Sequence, residues 1–85
     1  MIIFSLFDKE TQIHHQPIFV NNEIDAFRML GKAFSPPFGG SFELIKHGTF
    51  DEKSGNWNIE NKENLTEKAK IYLKSKGAIN ERTTI

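Results

Sequence analysis

Near the end of the chain, the stretch KAKIYLKSK (residues 68 to 76) carries Lys68, Lys70, Lys74 and Lys76 and no acid. Ammonium groups spaced along a helix in this way can follow a chain of phosphates. The same spacing also suits an ordinary solvated helix face. Arg28 and Lys32 stand at i and i+4 on a second helical pattern and would extend a basic strip, or would only serve solubility. Lys46 and His47 are further candidates on a strand. Trp57 is the only tryptophan. On a strand it fits the core at an inward position, and it also fits a sheet face that stacks unpaired bases.

Other chemistry is sparse. His14 and His15 are adjacent, and neighbours on a strand face opposite ways, so they chelate poorly. With His47 they read as separate surface histidines rather than a metal site. The loop that starts at Asp51 has the charge of a calcium loop but not its pattern. Lys53 and Gly55 stand where oxygen ligands belong, and Lys62 where the closing glutamate belongs. No glycine-rich phosphate loop, nucleophile elbow or Ser-His-Asp arrangement is visible. No enzymatic activity, cofactor or metal is expected, and no catalytic residue is named. The chain has no cysteine, which rules out disulfides and thiolate metal sites and suits a reducing compartment.

With 85 residues, the chain has room for one domain. Its apolar run at the start is broken by Asp8, so it reads as neither a signal peptide nor a membrane span. Eleven basic and eleven acidic residues cancel, but unevenly. Residues 1 to 61 hold five Lys/Arg against eight Asp/Glu, and residues 62 to 85 hold six against three.

The elements that must position these groups follow from periodicity. IIFSLF (residues 2 to 7) has the composition of a buried central strand. IHHQPIFV is extended, and Pro17 makes it an edge or an interrupted strand. NNEIDAFRMLGKAF predicts a helix capped by Asn21 or Asn22, with Ala26, Phe27, Leu30, Ala33 and Phe34 on one face. Gly31 weakens its middle and allows close packing on the sheet. Pro36 ends it. SFELIKHGTF and NWNIE predict a hairpin around DEKSG, with Gly55 free to take positive φ. Phe42, Leu44 and Phe50 are expected on one side of that strand, and Glu43, His47 and Thr49 on the other, with Ile45 out of pattern. NLTEKAKIYLKSKG predicts a second helix, N-capped by Asn64 and closed by Gly77. The expected fold is α+β, a small mostly antiparallel β-sheet with two helices packed on one face. Residues 1 to 77 form that single domain, and 78 to 85 a flexible tail.

Pro17 to Phe19, Ala26 to Arg28, Ser35 to Phe38, and Gly48 to Asp51 with Gly55 form a series of short motifs. In this series the chain resembles the small nonstructural proteins of gokushovirus-type microviruses, bacteriophages with single-stranded DNA genomes. Ile18, Phe27 and the second proline, Pro37, depart from the pattern, and the lysine-rich helix lies outside it. The resemblance implies a DNA-binding protein, binding single-stranded DNA with duplex DNA left open. It implies a role in the shift to single-stranded genome synthesis and packaging, in the cytoplasm of the bacterial host.

Net neutrality argues against strong, sequence-blind DNA binding by a monomer, so a homodimer is expected, with paired edge strands. The alternative function is a protein-interaction module that contacts a phage replication or capsid protein or a host factor. Phe38, between proline and glycines, then serves as the partner-binding anchor, or folds back under the sheet.

Overall fold

The computed structural model describes residues 1–33 and 41–77. In chain order the elements are β1 (Ile2–Asp8), β2 (Ile13–His14), β3 (Ile18–Val20), α1 (Glu23–Ala33), β4 (Phe42–Phe50), β5 (Trp57–Asn64) and α2 (Thr66–Ser75). Phe34, Phe38, the Ser35 to Phe38 loop and the expected tail lie outside the described residues.

β1 is central, as its apolar run predicts. On one edge it pairs antiparallel with β4, from Ile2↔Thr49 to Asp8↔Phe42. On the other edge it pairs with β2 and then β3, the two short strands that flank Pro17. The missing proline donor thus falls in the gap between two ladders rather than inside one. β4 pairs antiparallel with β5, which forms the far edge.

Both helices lie on one face of this curled sheet. Phe4, Leu44 and Val20 from the strands meet Ala26, Phe27 and Leu30 of α1 and Ala69 of α2 in one buried cluster. Ile2, Leu6, Ile18, Phe42 and Tyr72 pack around it. The architecture is the expected α+β one. α1 starts where Asn22 Oδ1 accepts the Asp25 N–H at 3.0 Å, which satisfies one of the free donors of its first turn. Gly31 does permit close packing, but against α2 rather than the sheet: a Cβ there would stand 3.1 Å from Leu73 Cδ2.

Three details differ from the expectation. β5 runs on to Asn64, so Asn64 ends a strand and Leu65 takes the cap position of α2 without a side-chain bond. Asn64 still serves the junction, because its Oδ1 accepts the Thr66 N–H at 3.0 Å. Thr66 Oγ1 in turn accepts the Leu44 N–H at 2.9 Å and ties α2 to β4. Second, the β4–β5 register shifts between Lys46 and Gly48. A shift of this kind is a β-bulge, and it exchanges the sides to which residues before and after it point. Phe42 and Leu44 therefore face the helices, whereas Phe50 faces away with Trp57. Third, Trp57 is not core but 59% exposed. The hairpin loop itself is as expected. Gly55 has φ +76°, and Asp51 O accepts its N–H at 2.8 Å.

Candidate functional site

Among the described residues one face of the sheet carries no helix, and that face gathers side chains from every strand. Cross-strand partners share a face, so Phe19 sits opposite Ile3, and Phe50 opposite Trp57. The bulge at Lys46 to Gly48 is what brings Phe50 to this side. Gly48 permits it: its φ is +148°, and a Cβ there would collide with the carbonyl oxygen of Asn58. The result is an aromatic cluster. The Phe50 and Trp57 rings are 5.0 Å apart, Phe19 and Trp57 5.7 Å, and Phe19 and Phe50 6.2 Å, all tilted or edge-on. Ile59 continues the patch at 63% exposure, and Phe19 stands at 40%. Large apolar groups grouped in water in this way make the open face a candidate binding surface, because a small domain gains more by burying them.

Beside the aromatic cluster lies a polar one. Ser5, in the middle of β1, is 2% exposed. Its Oγ lies 2.9 Å from His14 Nδ1 and 2.7 Å from His47 Nε2. The two imidazoles meet edge to face, with centroids 5.7 Å apart. Burial lowers the His47 pKa from its ordinary value, and the nearby charges of His14 and Lys62 lower it further. A shallow groove of about 400 Å³ joins this polar cluster to Trp57 and Ile59. Lys62 lines a second groove with His14, Phe7 and Glu43. The Glu43 carboxylate there accepts a 2.7 Å bond from Asn64 Nδ2.

The basic residues singled out in the sequence lie elsewhere. Lys68, Lys70, Lys74 and Lys76 are on or just past α2, and Arg28 and Lys32 on α1, which both cover the opposite side of the sheet. Three of these six have acidic partners. Lys68 Nζ is 2.8 Å from Glu23, a bond that raises the lysine pKa. Lys70 is 3.4 Å from Glu67, and Arg28 is 4.0 Å from Asp25. Lys76 Nζ lies 5.9 Å from the Tyr72 ring centroid. Lys46 is paired in register with Phe4 and Glu63, on the helix side. Of the candidates among the described residues, only Trp57 and His47 share the open face; the helix lysines and Trp57 do not form one site.

Sequence reasoning missed Phe19, Phe50, Ser5, His14 and Lys62 as parts of this surface. It also separated three histidines of which two are joined: His14 meets His47 through Ser5, while the His15 ring packs 5.5 Å from Phe42. Gly48 held the signal for the aromatic cluster. A glycine inside an alternating strand suggests a bulge, and a bulge there puts Phe50 beside Trp57 across the hairpin. The Ser5–His47 contact spans 42 positions, and no local pattern announces it.

Among the described residues, no helix is long and apolar enough to cross a membrane. Among the same residues, no group of three or more His, Cys, Asp or Glu side chains is placed to hold a metal ion. Residues 1–71 match the family model described as Phage ORF5 protein. No curated protein and no solved structure matches.

Proposed function

The chain belongs to the Phage ORF5 protein family, and from that premise we propose that it is a nonstructural phage protein that binds single-stranded DNA on the open face of its sheet. The observation that carries this reading is the exposed Phe19–Phe50–Trp57 cluster. Single-strand binding needs aromatic faces for unpaired bases and cations for the backbone between them. The first are present as a cluster, and Lys62 supplies a cation on the same face. A duplex keeps its bases stacked and paired, so it offers no base face to such a surface, and single strands are favoured. The resemblance to gokushovirus-type proteins supports a role in the shift to single-stranded genome synthesis and packaging, within the bacterial host cell. Catalysis is no part of the proposal.

The test is fluorescence anisotropy of labelled single-stranded and duplex oligonucleotides across a salt series, with Trp57 emission read in parallel. The expected result is salt-sensitive binding of the single strand with quenched Trp57. Binding without quenching would move the site to the helix lysines. No binding at low salt would overturn the reading.

The observation that favours a second reading is the electrostatics. Net charge is zero, and three of the helix cations are paired with acids. A protein-interaction module that buries the same aromatic patch in a phage replication or capsid protein, or in a host factor, has no need of net positive charge. Its binding would be insensitive to salt, unlike that of DNA. The proposal also includes a homodimer. The whole of β5 is exposed at the sheet edge, with a row of unpaired backbone groups suited to pairing with a second copy. Light scattering behind gel filtration at micromolar protein should give the dimer mass, and a monomer mass would overturn this part.

A further inference from the structure

We propose that Glu43, held in place by Asn64, reads a guanine base in the second groove of the open face and so gives the protein a preference among single strands. This rests on the single-stranded-DNA reading above and names a base, which that reading leaves open.

The groove has a volume of about 290 Å³, room for a single base. Strand pairing builds it. Phe7 stands opposite both His14 of β2 and Glu43 of β4, and Ile45 stands opposite Asn64 of β5. Cross-strand partners share a face, and so do Glu43 and Ile45, two apart on one strand. Buried Ile45 and the Phe7 ring give the groove an apolar lining, and Glu43, Asn64 and Lys62 give it a polar one.

Glu43 is the unexpected member. A carboxylate on a surface that takes an anionic chain costs affinity, unless it bonds to something other than phosphate. Its partner fixes it in place. The backbone N–H of Thr66 can only donate, so Asn64 turns Oδ1 to that N–H, at 3.0 Å, and Nδ2 to Glu43 Oε2, at 2.7 Å. Glu43 Oε1 has no hydrogen-bond partner among the described residues, and Oε2 can accept a second bond. The carboxylate thus offers two neighbouring acceptors to a ligand.

Among the four bases, guanine has two donors side by side on its pairing edge, N1–H and the N2 amino group. They match a carboxylate with two charge-assisted bonds. Adenine, cytosine and thymine each place an acceptor next to their donor, and an acceptor repels a carboxylate. In a duplex this edge is taken by the opposite base, so the groove reads unpaired guanine. Among the described residues Lys62 forms no ion pair, which leaves its ammonium for the phosphate beside the bound base. Seven residues of β4 separate Glu43 from Phe50, roughly 20 Å along the strand. One single strand therefore has room to lie across both the groove and the aromatic cluster.

The experiment compares labelled oligothymidylates of about 12 nucleotides in which one central position is thymine, adenine, cytosine, guanine or hypoxanthine. Hypoxanthine is guanine without its N2 amino group. Wild type and Glu43→Gln are titrated at one salt concentration. Wild type is expected to bind the guanine strand about tenfold more tightly than the thymine, adenine and cytosine strands. Hypoxanthine should lose most of that gain, and Glu43→Gln should bind all five strands alike. Equal wild-type affinity for the strands, or preference for another base, would overturn the guanine site while leaving single-strand binding intact. Hypoxanthine bound as tightly as guanine would overturn the two-donor match, by a measurement that needs no variant. Guanine preference kept by Glu43→Gln would overturn the role of Glu43. No binding of any strand by wild type would overturn the single-strand reading itself, and this inference with it.

Discussion

Beneath α1 and α2 the sheet buries Phe4 and Leu44 to 0% exposure, while its other side keeps Trp57 at 59% and Ile59 at 63% in water. The two faces draw on the same strands and often on adjacent residues. β1 gives Phe4 to the covered side and Ser5 to the open one. β4 gives Leu44 to the first and, past its bulge, Phe50 to the second. Among the described residues there are two helices to cover the sheet, and both go to one side. Stability is therefore concentrated on the covered face, and the open face is the one to which the proposed binding is assigned. Substitutions on the two faces should accordingly affect different measurements.

The sharpest contrast is Phe4→Ala. It removes a fully buried ring from the cluster between sheet and helices and should cost about 3–5 kcal/mol in urea unfolding. For a domain this small, that amount approaches the whole stability. If Phe4→Ala unfolds no more easily than wild type, the covered face is not the source of stability.

Trp57→Ala should behave in the opposite way. Its unfolding midpoint should stay close to wild type, because the ring is exposed. Single-strand affinity should fall by about 1–3 kcal/mol, the value of one stacked base. A variant that loses stability and keeps its affinity would reverse the assignment of the faces.

Gly48→Ala tests the feature that separates them. The new Cβ would meet Asn58 backbone from a φ that side chains rarely adopt. The strain should cost roughly 1–3 kcal/mol. Because the bulge aims Phe50, the Trp57 emission spectrum should shift as well. A stable variant with unchanged emission would mean that the bulge does not hold the aromatic cluster.

Smaller effects come from His47 and the lysines. Burial, then the charges of His14 and Lys62, hold the folded His47 pKa below its unfolded value. The unfolded chain thus takes the proton first, so this contribution is fully present above the unfolded value of about 6.5 and is lost as the pH falls below it. Wild type should lose more stability between pH 7.5 and 5 than His47→Gln; equal losses would contradict the cause. Finally, Lys62→Gln should reduce the salt slope of DNA binding by about 0.7, one phosphate contact, and Lys74→Gln should leave it unchanged. The reverse result would move the DNA to the helices.

How much of this was legible in the sequence depends on the distance over which each signal acts. α1 could be read from its spacing of Ala26, Phe27 and Leu30 and from Asn22, because a helix and its cap are local. The hairpin could be read from Gly55 for the same reason. The sides of β4 could not be read by simple alternation, because one irregular residue pair between Lys46 and Gly48 inverts every later position. Asn64 was misplaced because its side chain takes the Thr66 N–H from the end of a strand much as a helix cap would. The Ser5 cluster depends on β1 and β4 lying side by side, a fact of topology. The lysines drew attention because charge runs are conspicuous in a sequence, yet the fold pairs Lys68 and Lys70 with acids.

The central position of β1 also bears on how the protein is made. Its main partner, β4, ends at Phe50, so the ribosome must add nearly fifty residues before the ladder from Ile2 to Thr49 can close. At about 5–20 residues per second this takes roughly 2–10 s. During that time Ile2, Ile3, Phe4 and Leu6 have only the short β2 and β3 segments to pair with, and no complete core. Newly made chains would spend those seconds with an apolar strand available to chaperones, or to one another where many ribosomes share a message. The yield of folded protein would then depend on translation speed as well as on the stability of the finished fold.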